Sequence, residues 1–145
     1  MMTRESDVTA FLDSNIVLYS FGSDDAKKAA AITLLKDCPI ISIQVLNECS
    51  HVLRRKCQWP PAQVAAELET LLHLVRLKET GLAQVRSAWT LAERYGYSHY
   101  DSLIIASALA ADCNTLYTED MQNGQVIAGC LTLTNPFLAP IQPGS

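Results

Sequence analysis

Tyr100-Asp101-Ser102-Leu103-Ile104-Ile105-Ala106-Ser107-Ala108-Leu109-Ala110-Ala111, followed closely by Asn114-Thr115-Leu116-Tyr117-Thr118-Glu119-Asp120, reads as a nearly all-apolar helix running into a short strand. One acid stands at the start of the helix and another just past the end of the strand. Units of the same kind fill the chain upstream. Val8–Leu12 reads as a buried strand leading into a helical turn, and a helix follows over about Asp24–Leu35, its start favoured by Asp24 and Asp25. Ile40–Ile43 reads as a second strand and Gln44–Lys56 as a helix. Pro60-Pro61 opens another helix with apolar residues at Val64, Leu68, Leu71 and Leu72. Leu74–Leu77 supplies a third strand, after which Leu82, Val85, Trp89 and Ala92 mark one face of a helix that reaches about Tyr95 and stops near Gly96. Downstream, Leu131–Thr134 adds a strand beyond a turn-rich stretch around Asn123-Gly124. Strands alternating with helices predict an α/β three-layer sandwich, with a mostly parallel central sheet flanked by helices on both faces.

A chain of 145 residues, 49% of them hydrophobic, supports one substantial core. The expectation is a single domain over 1–145, its core at about 8–136, with flexible ends at 1–7 and 140–145. The longest apolar run, Leu103–Ala111, is too short for the ~20 residues of a membrane span, and the polar start does not read as a targeting segment. A soluble, cytoplasmic protein is expected. Five cysteines form no Cys-x-x-Cys pair, which argues against a disulfide framework, and the spacing of Cys49, His51 and Cys57 matches no standard zinc pattern.

The decisive residues are Asp13, Glu48, Asp101 and Asp120, each in or beside a strongly apolar stretch with few basic residues nearby. A carboxylate so close to a core must be paired, protonated or holding a metal ion, because burying an isolated charge is expensive. Taken singly, each has an ordinary explanation: Asp13 and Asp101 as helix N-caps, Asp120 as a turn residue, Glu48 as a helix-flank residue. Taken together they share a place. In open α/β sheets function collects outside the carboxyl ends of the strands, and Asp13 and Asp120 follow strands while Asp101 opens a helix that should start at the same edge. Glu48 falls just beside the margin of the helical arc formed by Val45, Leu46, Cys49, Val52 and Leu53. Four acids gathered there would repel, and a divalent cation both stabilises the arrangement and makes it useful.

The net charge of -4 runs against a nucleic-acid binder in general, but four of the fifteen acids are these proposed ligands, and a bound metal reverses the local sign. A basic cluster at Arg54, Arg55 and Lys56 suits either phosphate contact or a solvated helix C-terminus. His99 is a further RNA-contact candidate. Other chemistries lack support: Ser14 is in no Gly-x-Ser-x-Gly setting, and there is no Gly-rich phosphate loop. A phosphatase using Asp13 as nucleophile would want a second Asp two residues on, where this chain has Asn15. A non-catalytic binding module that keeps the fold is the remaining alternative.

The ordered set Phe-Leu-Asp13-Ser-Asn15, then Asn47-Glu48, then Tyr-Gly-Tyr-Ser-His-Tyr-Asp101-Ser-Leu-Ile-Ile-Ala, then Leu-Tyr-Thr118-Glu-Asp120-Met resembles the PIN-domain ribonucleases. Within them it is similar to the VapC-type toxins of bacterial toxin-antitoxin pairs. The resemblance spans about residues 9 to 134. It implies a PIN-like fold and a magnesium- or manganese-dependent endoribonuclease, usually a homodimer, inhibited by a cognate antitoxin; an RNA-maturation nuclease of the same fold is its other form. By position, Asp13, Glu48, Asp101 and Asp120 match the family's acidic ligands, with Glu119 the rival for the fourth place, and Asn15 and Thr118 match its accessory polar positions. Asp13 and Asp101 are the first choice as direct ligands, and sequence does not divide the roles of Glu48 and Asp120. The Leu, Val and Trp residues on the helices over Pro60–His73 and Glu79–Tyr95 exceed the needs of one sheet edge, which adds to the expectation of a dimer.

Overall fold

The computed structural model describes residues 8–138, so the ends expected to be flexible, 1–7 and 140–145, lie outside the described residues. In chain order the elements are β1 (Ala10–Leu12), α1 (Ser14–Tyr19), α2 (Asp25–Leu35), β2 (Ile40–Ser42), α3 (Ile43–Arg55), α4 (Pro61–Leu72), β3 (Arg76–Lys78), α5 (Leu82–Tyr95), α6 (His99–Ala110), β4 (Thr115–Tyr117), β5 (Val126–Ile127) and β6 (Leu131–Thr134). The strands form one sheet in the order β3-β2-β1-β4-β6-β5, parallel throughout except where β5 runs against β6. The expected α/β architecture, a mostly parallel sheet flanked by helices, is what the chain adopts.

The strand order fixes where a site belongs. From β1 the chain steps outward to β2 and β3, then returns across the sheet to place β4 on the other side of β1. Right-handed crossovers put α1 to α4 on one face and the returning α5 and α6 on the other. Packing agrees, since α1 touches α2 and α3, α3 touches α4, and α5 lies along α6. The reversal opens a crevice at the carboxyl ends of β1 and β4, the topological switch point where such sheets bind ligands.

Local chemistry explains the elements around that crevice. Ser42 ends β2 and caps α3, its Oγ accepting from the Val45 N–H at 3.2 Å. The inward stripe Val45, Cys49, Leu53 then buries α3 against the core. Pro61 takes the first helical position of α4, where its missing N–H costs nothing. Every residue of α6 from Ser102 to Ala108 is buried, as expected of a helix apolar on all sides.

Four sequence expectations need correcting. The third strand is Arg76–Lys78 rather than Leu74–Leu77, because its register is set by pairing with β2 (Ile40 opposite Arg76), while Val75 turns into the core. The short β5 lies in what reads as a turn-rich stretch. On α5 only half of the expected face points inward: Val85 packs toward α6 and Ala92 is half-buried, but Leu82 and Trp89 are exposed, and the fully buried residue is Ala88, whose small side chain meets Leu103 and Ala106 of α6. The surplus apolar residues expected on α4 are absorbed by this chain's own core, since Val64, Leu68 and Leu71 are buried.

Gly96 ends α5 in the left-handed region at φ 80°, with its N–H donating to the Ala92 carbonyl. No atom crowds a Cβ placed there, so the cost of a side chain is conformational. Gly96→Ala is expected to destabilise the protein by about 1 kcal/mol in urea unfolding; no loss would mean that the α5 stop is not set by this residue.

Candidate active site

Asp13 sits directly past β1, only 5% exposed, and each of its carboxylate oxygens is engaged. Oδ1 accepts the Ser14 N–H at 2.7 Å, capping α1, and Oδ2 accepts the Thr118 hydroxyl at 2.8 Å from the end of β4. The Asp13 N–H donates to the Tyr117 carbonyl at 3.0 Å, so main chain and side chain both tie β1 to β4 across the crevice. Thr118 Oγ1 also accepts the Asp120 N–H at 3.3 Å, and Asp120 Oδ2 accepts Asn15 Nδ2 at 2.8 Å. These bonds form a chain, Asp13 to Thr118 to Asp120 to Asn15, whose two ends lie two residues apart on the main chain at the switch point.

Burial is the largest influence on Asp13 and raises its pKa from 3.8 to about 6, against the lowering effect of the Thr118 and Ser14 bonds. The charges of Asp101 and Glu48 push the same way. Asp101 is also raised, first by burial and then by Asp120. Glu48 and Asp101 thus bear on Asp13, and Asp120 bears on Asp101, while no basic group is among the causes acting on Asp13 or Asp101. Among the described residues, no three His, Cys, Asp or Glu side chains are drawn close enough to form a finished ion shell. The donors nonetheless fit a hard divalent cation, being all oxygen, and Asn15 Oδ1 is buried without a hydrogen-bond partner.

The ordinary explanations divide on inspection. Asp13 does cap α1. Asp101 is not the N-cap of α6: Ser98 is, its Oγ accepting the Asp101 N–H at 3.1 Å, and a side-chain bond with Ser98 in turn lowers the Asp101 pKa against the larger effect of burial. Glu48 is half-buried on the flank of α3, as its position beside the apolar arc suggests.

Glu119 and Asp120, indistinguishable in sequence, turn to different partners. Glu119 forms an ion pair with Lys27 and accepts the Tyr19 hydroxyl, and its pKa is lowered chiefly by the Lys27 bond. Lys27 lies 4.6 Å from the Tyr19 ring centroid and 5.1 Å from that of Phe137. This cluster anchors the segment that carries Asp120, and sequence reading missed it because its members lie far apart along the chain. Cys49, weighed as a zinc ligand, is buried with Sγ 3.8 Å from the Ser14 carbonyl, while Cys57 is exposed.

The basic candidates are not gathered with the acids. Arg54 lines a separate groove of about 400 Å³ between α3 and α4, and Arg55 and Lys56 are exposed beyond it. His99 is exposed and packs edge-on against Tyr100. A larger cleft of about 640 Å³ opens beside the acids, lined by Glu48 together with Gln44, Asn47, His51 and Tyr100. The spacing of Gln44, Asn47 and His51 puts them on one helix face with Glu48 alongside, a pattern the sequence carried unread.

Asp13 gives a test of this electrostatic picture. An acid whose pKa rises from 3.8 to about 6 on folding holds its proton more tightly in the folded state. Its contribution is then present below 3.8 and lost as pH rises through 6, by up to about 3 kcal/mol. In chelator, Asp13→Asn is expected to be more stable than wild type above pH 6 by about 1–3 kcal/mol, less whatever the altered bonds to Thr118 and Ser14 lose, and to have no such advantage below 3.8. Urea unfolding across that range checks it; a pH-independent difference would show that ionised Asp13 carries no penalty.

Comparison with known proteins agrees with this architecture. The PIN domain family model matches residues 10–123. No curated protein matches the chain. Among solved structures, it resembles VapC20 of Mycobacterium tuberculosis, a Sarcin-Ricin loop cleaving toxin, with 24% identity, a TM-score of 0.64, and coverage of 77% of this chain and 90% of that one. A toxin-antitoxin complex from Klebsiella pneumoniae matches at 19% identity and a TM-score of 0.64, covering 88% of this chain and 98% of that one. VapBC2 from Rickettsia felis, solved on a DNA fragment from its promoter, matches at 21% identity and a TM-score of 0.64, with 88% and 98% covered. With the family model spanning most of the sequence and the same fold recurring in these structures, the chain belongs to the PIN-domain family.

Proposed function

We propose that this protein is a magnesium- or manganese-dependent endoribonuclease that hydrolyses RNA phosphodiester bonds, the VapC-type toxin of a toxin-antitoxin pair. The observation that carries the reading is Asp13: a buried carboxylate at the switch point, raised to about 6 by burial and by two neighbouring acids, with no basic group among the described residues acting on it. Such a group is costly unless a cation completes it. Asp13 and Asp101 are the direct ligands in this proposal, Glu48 and Asp120 complete the acidic set, and Asn15 offers its unpaired Oδ1. A bound divalent ion would lower the pKa of a water and stabilise charge on the scissile phosphate.

The chain's own residues do the positioning. Thr118 and the Ser14 N–H fix both oxygens of Asp13, so the carboxylate presents a set orientation rather than a rotamer ensemble. Asn15 holds Asp120 toward the same crevice while Lys27 and Tyr19 hold Glu119 away. The antitoxin partner is inferred from the toxin-antitoxin complexes among the similar structures. A homodimer is consistent with Leu82 and Trp89, each 59% exposed on α5. No described helix is long and apolar enough to cross a membrane, and the proposed setting is the cytoplasm. Arg54, Arg55, Lys56 and His99 remain proposed RNA contacts at the periphery.

Purified protein with magnesium or manganese is expected to cut single-stranded or loop RNA, and Asp13→Asn and Asp101→Asn to cut about 100-fold more slowly or worse while keeping the wild-type circular dichroism. Full cleavage in excess chelator, by protein free of contaminating nuclease, would overturn the metal-dependent reading.

A further inference from the structure

We infer that the cleft of about 640 Å³ beside the acids is a nucleobase pocket, holding a base next to the phosphate that is cut. The inference rests on the ribonuclease reading and adds to it the part of the substrate that gives selectivity. Its volume lies within the ~300–1,000 Å³ usual for small-molecule sites.

Place is the first argument. Glu48 is itself part of the lining, Ser14 follows Asp13 and Tyr100 precedes Asp101, so the cleft opens directly off the acidic cluster. Chemistry is the second. Among the described residues no lysine or arginine lines it, so it is not built for another phosphate. It offers an apolar wall from Ile43 and Val52 and neutral hydrogen-bonding groups from Ser14, Asn47 and Thr80, with the His51 imidazole alongside. A flat apolar face with polar edges is what a base presents, and single-stranded nucleic acid is held by such surfaces with an aromatic platform.

Tyr100 supplies that platform. Tyr100 is 64% exposed although it stands two residues before the buried stretch Ser102–Ala108 of α6, and His99 packs against its ring edge-on at 5.2 Å. Gln44 adds an unmet hydrogen bond: Nε2 donates to the Tyr100 carbonyl at 3.3 Å, while Oε1 is buried without a partner. A rotation of this amide toward the cleft would let Oε1 accept from an amino or imino N–H of a base, which ties base selection to the backbone of the residue that stacks on it.

The test is a cycle between protein and RNA. Cut sites of the wild type are first mapped on randomised single-stranded RNA with manganese, and a short RNA carrying the preferred site is then remade with an abasic residue at each position flanking the cut. At one flanking position the abasic change is expected to raise the wild-type KM about tenfold; Tyr100→Ala raises KM similarly on the intact RNA but loses nothing more on the abasic one, with kcat within about threefold, and Tyr100→Phe restores wild-type values. Equal abasic costs in wild type and Tyr100→Ala would overturn the pocket while leaving the nuclease standing. So would a Tyr100→Ala loss confined to kcat on every RNA, which would make the ring a support for Asp101. A wild type that cuts no RNA with either ion would overturn the ribonuclease reading itself, and this inference with it.

Discussion

The hydrogen bond from the Thr118 hydroxyl to the Asp13 carboxylate is the constraint on which the rest of the site depends. It spans the seam between β1 and β4, two strands far apart in sequence and adjacent only because the chain reverses direction across the sheet. The bond satisfies one oxygen of a nearly buried acid, and the α1 N-terminus satisfies the other. Both elements flanking the crevice are thereby locked to one carboxylate, and Thr118 passes the constraint on to the Asp120 backbone. Without the reversal of strand order, Asp13 would cap a short helix and nothing more.

The price of this arrangement is electrostatic. Asp13 and Asp101 are each raised by burial and by another acid, so the metal-free fold carries repulsion that an apolar substitution would remove. Proteins keep such conflicts where function requires them and stabilise the surroundings instead. Here the stabilising work falls to Lys27, whose ammonium meets Glu119 and two aromatic rings a residue away from Asp120. Two adjacent acids thus do opposite jobs: one is neutralised as a structural anchor, and its neighbour faces the crevice unpaired with any cation in the bonds described.

Most of the architecture was legible because α/β alternation is a local pattern. The caps and stops at Asp24, Pro61 and Gly96 fall where the sequence places them, and Asp13 and Asp120, each past the end of a strand, lie within electrostatic reach of Asp101. What failed was non-local. β3 and β5 are defined by the strands they pair with, and three or two residues carry too little periodicity to announce themselves. The α5 face was misread because Trp89 looks like a core residue, whereas contact with α6 requires the smaller Ala88. Glu119 and Asp120 were inseparable until Lys27 and Tyr19, from different helices, arrived beside the former.

The central claim, that these acids are arranged to hold a divalent ion, can be examined without knowing the RNA. Thermal melting of the wild type and Asp101→Asn, each with and without magnesium or manganese, is the most direct measurement. An ion that binds only the folded state raises the melting temperature, by an amount growing logarithmically above its dissociation constant. The account predicts a clear rise for wild type and a reduced rise for Asp101→Asn, whose metal-free form melts at the same temperature or higher. Identical ion responses in the two proteins would contradict it, and would leave Asp101 as a first-turn helix residue with no part in a metal site.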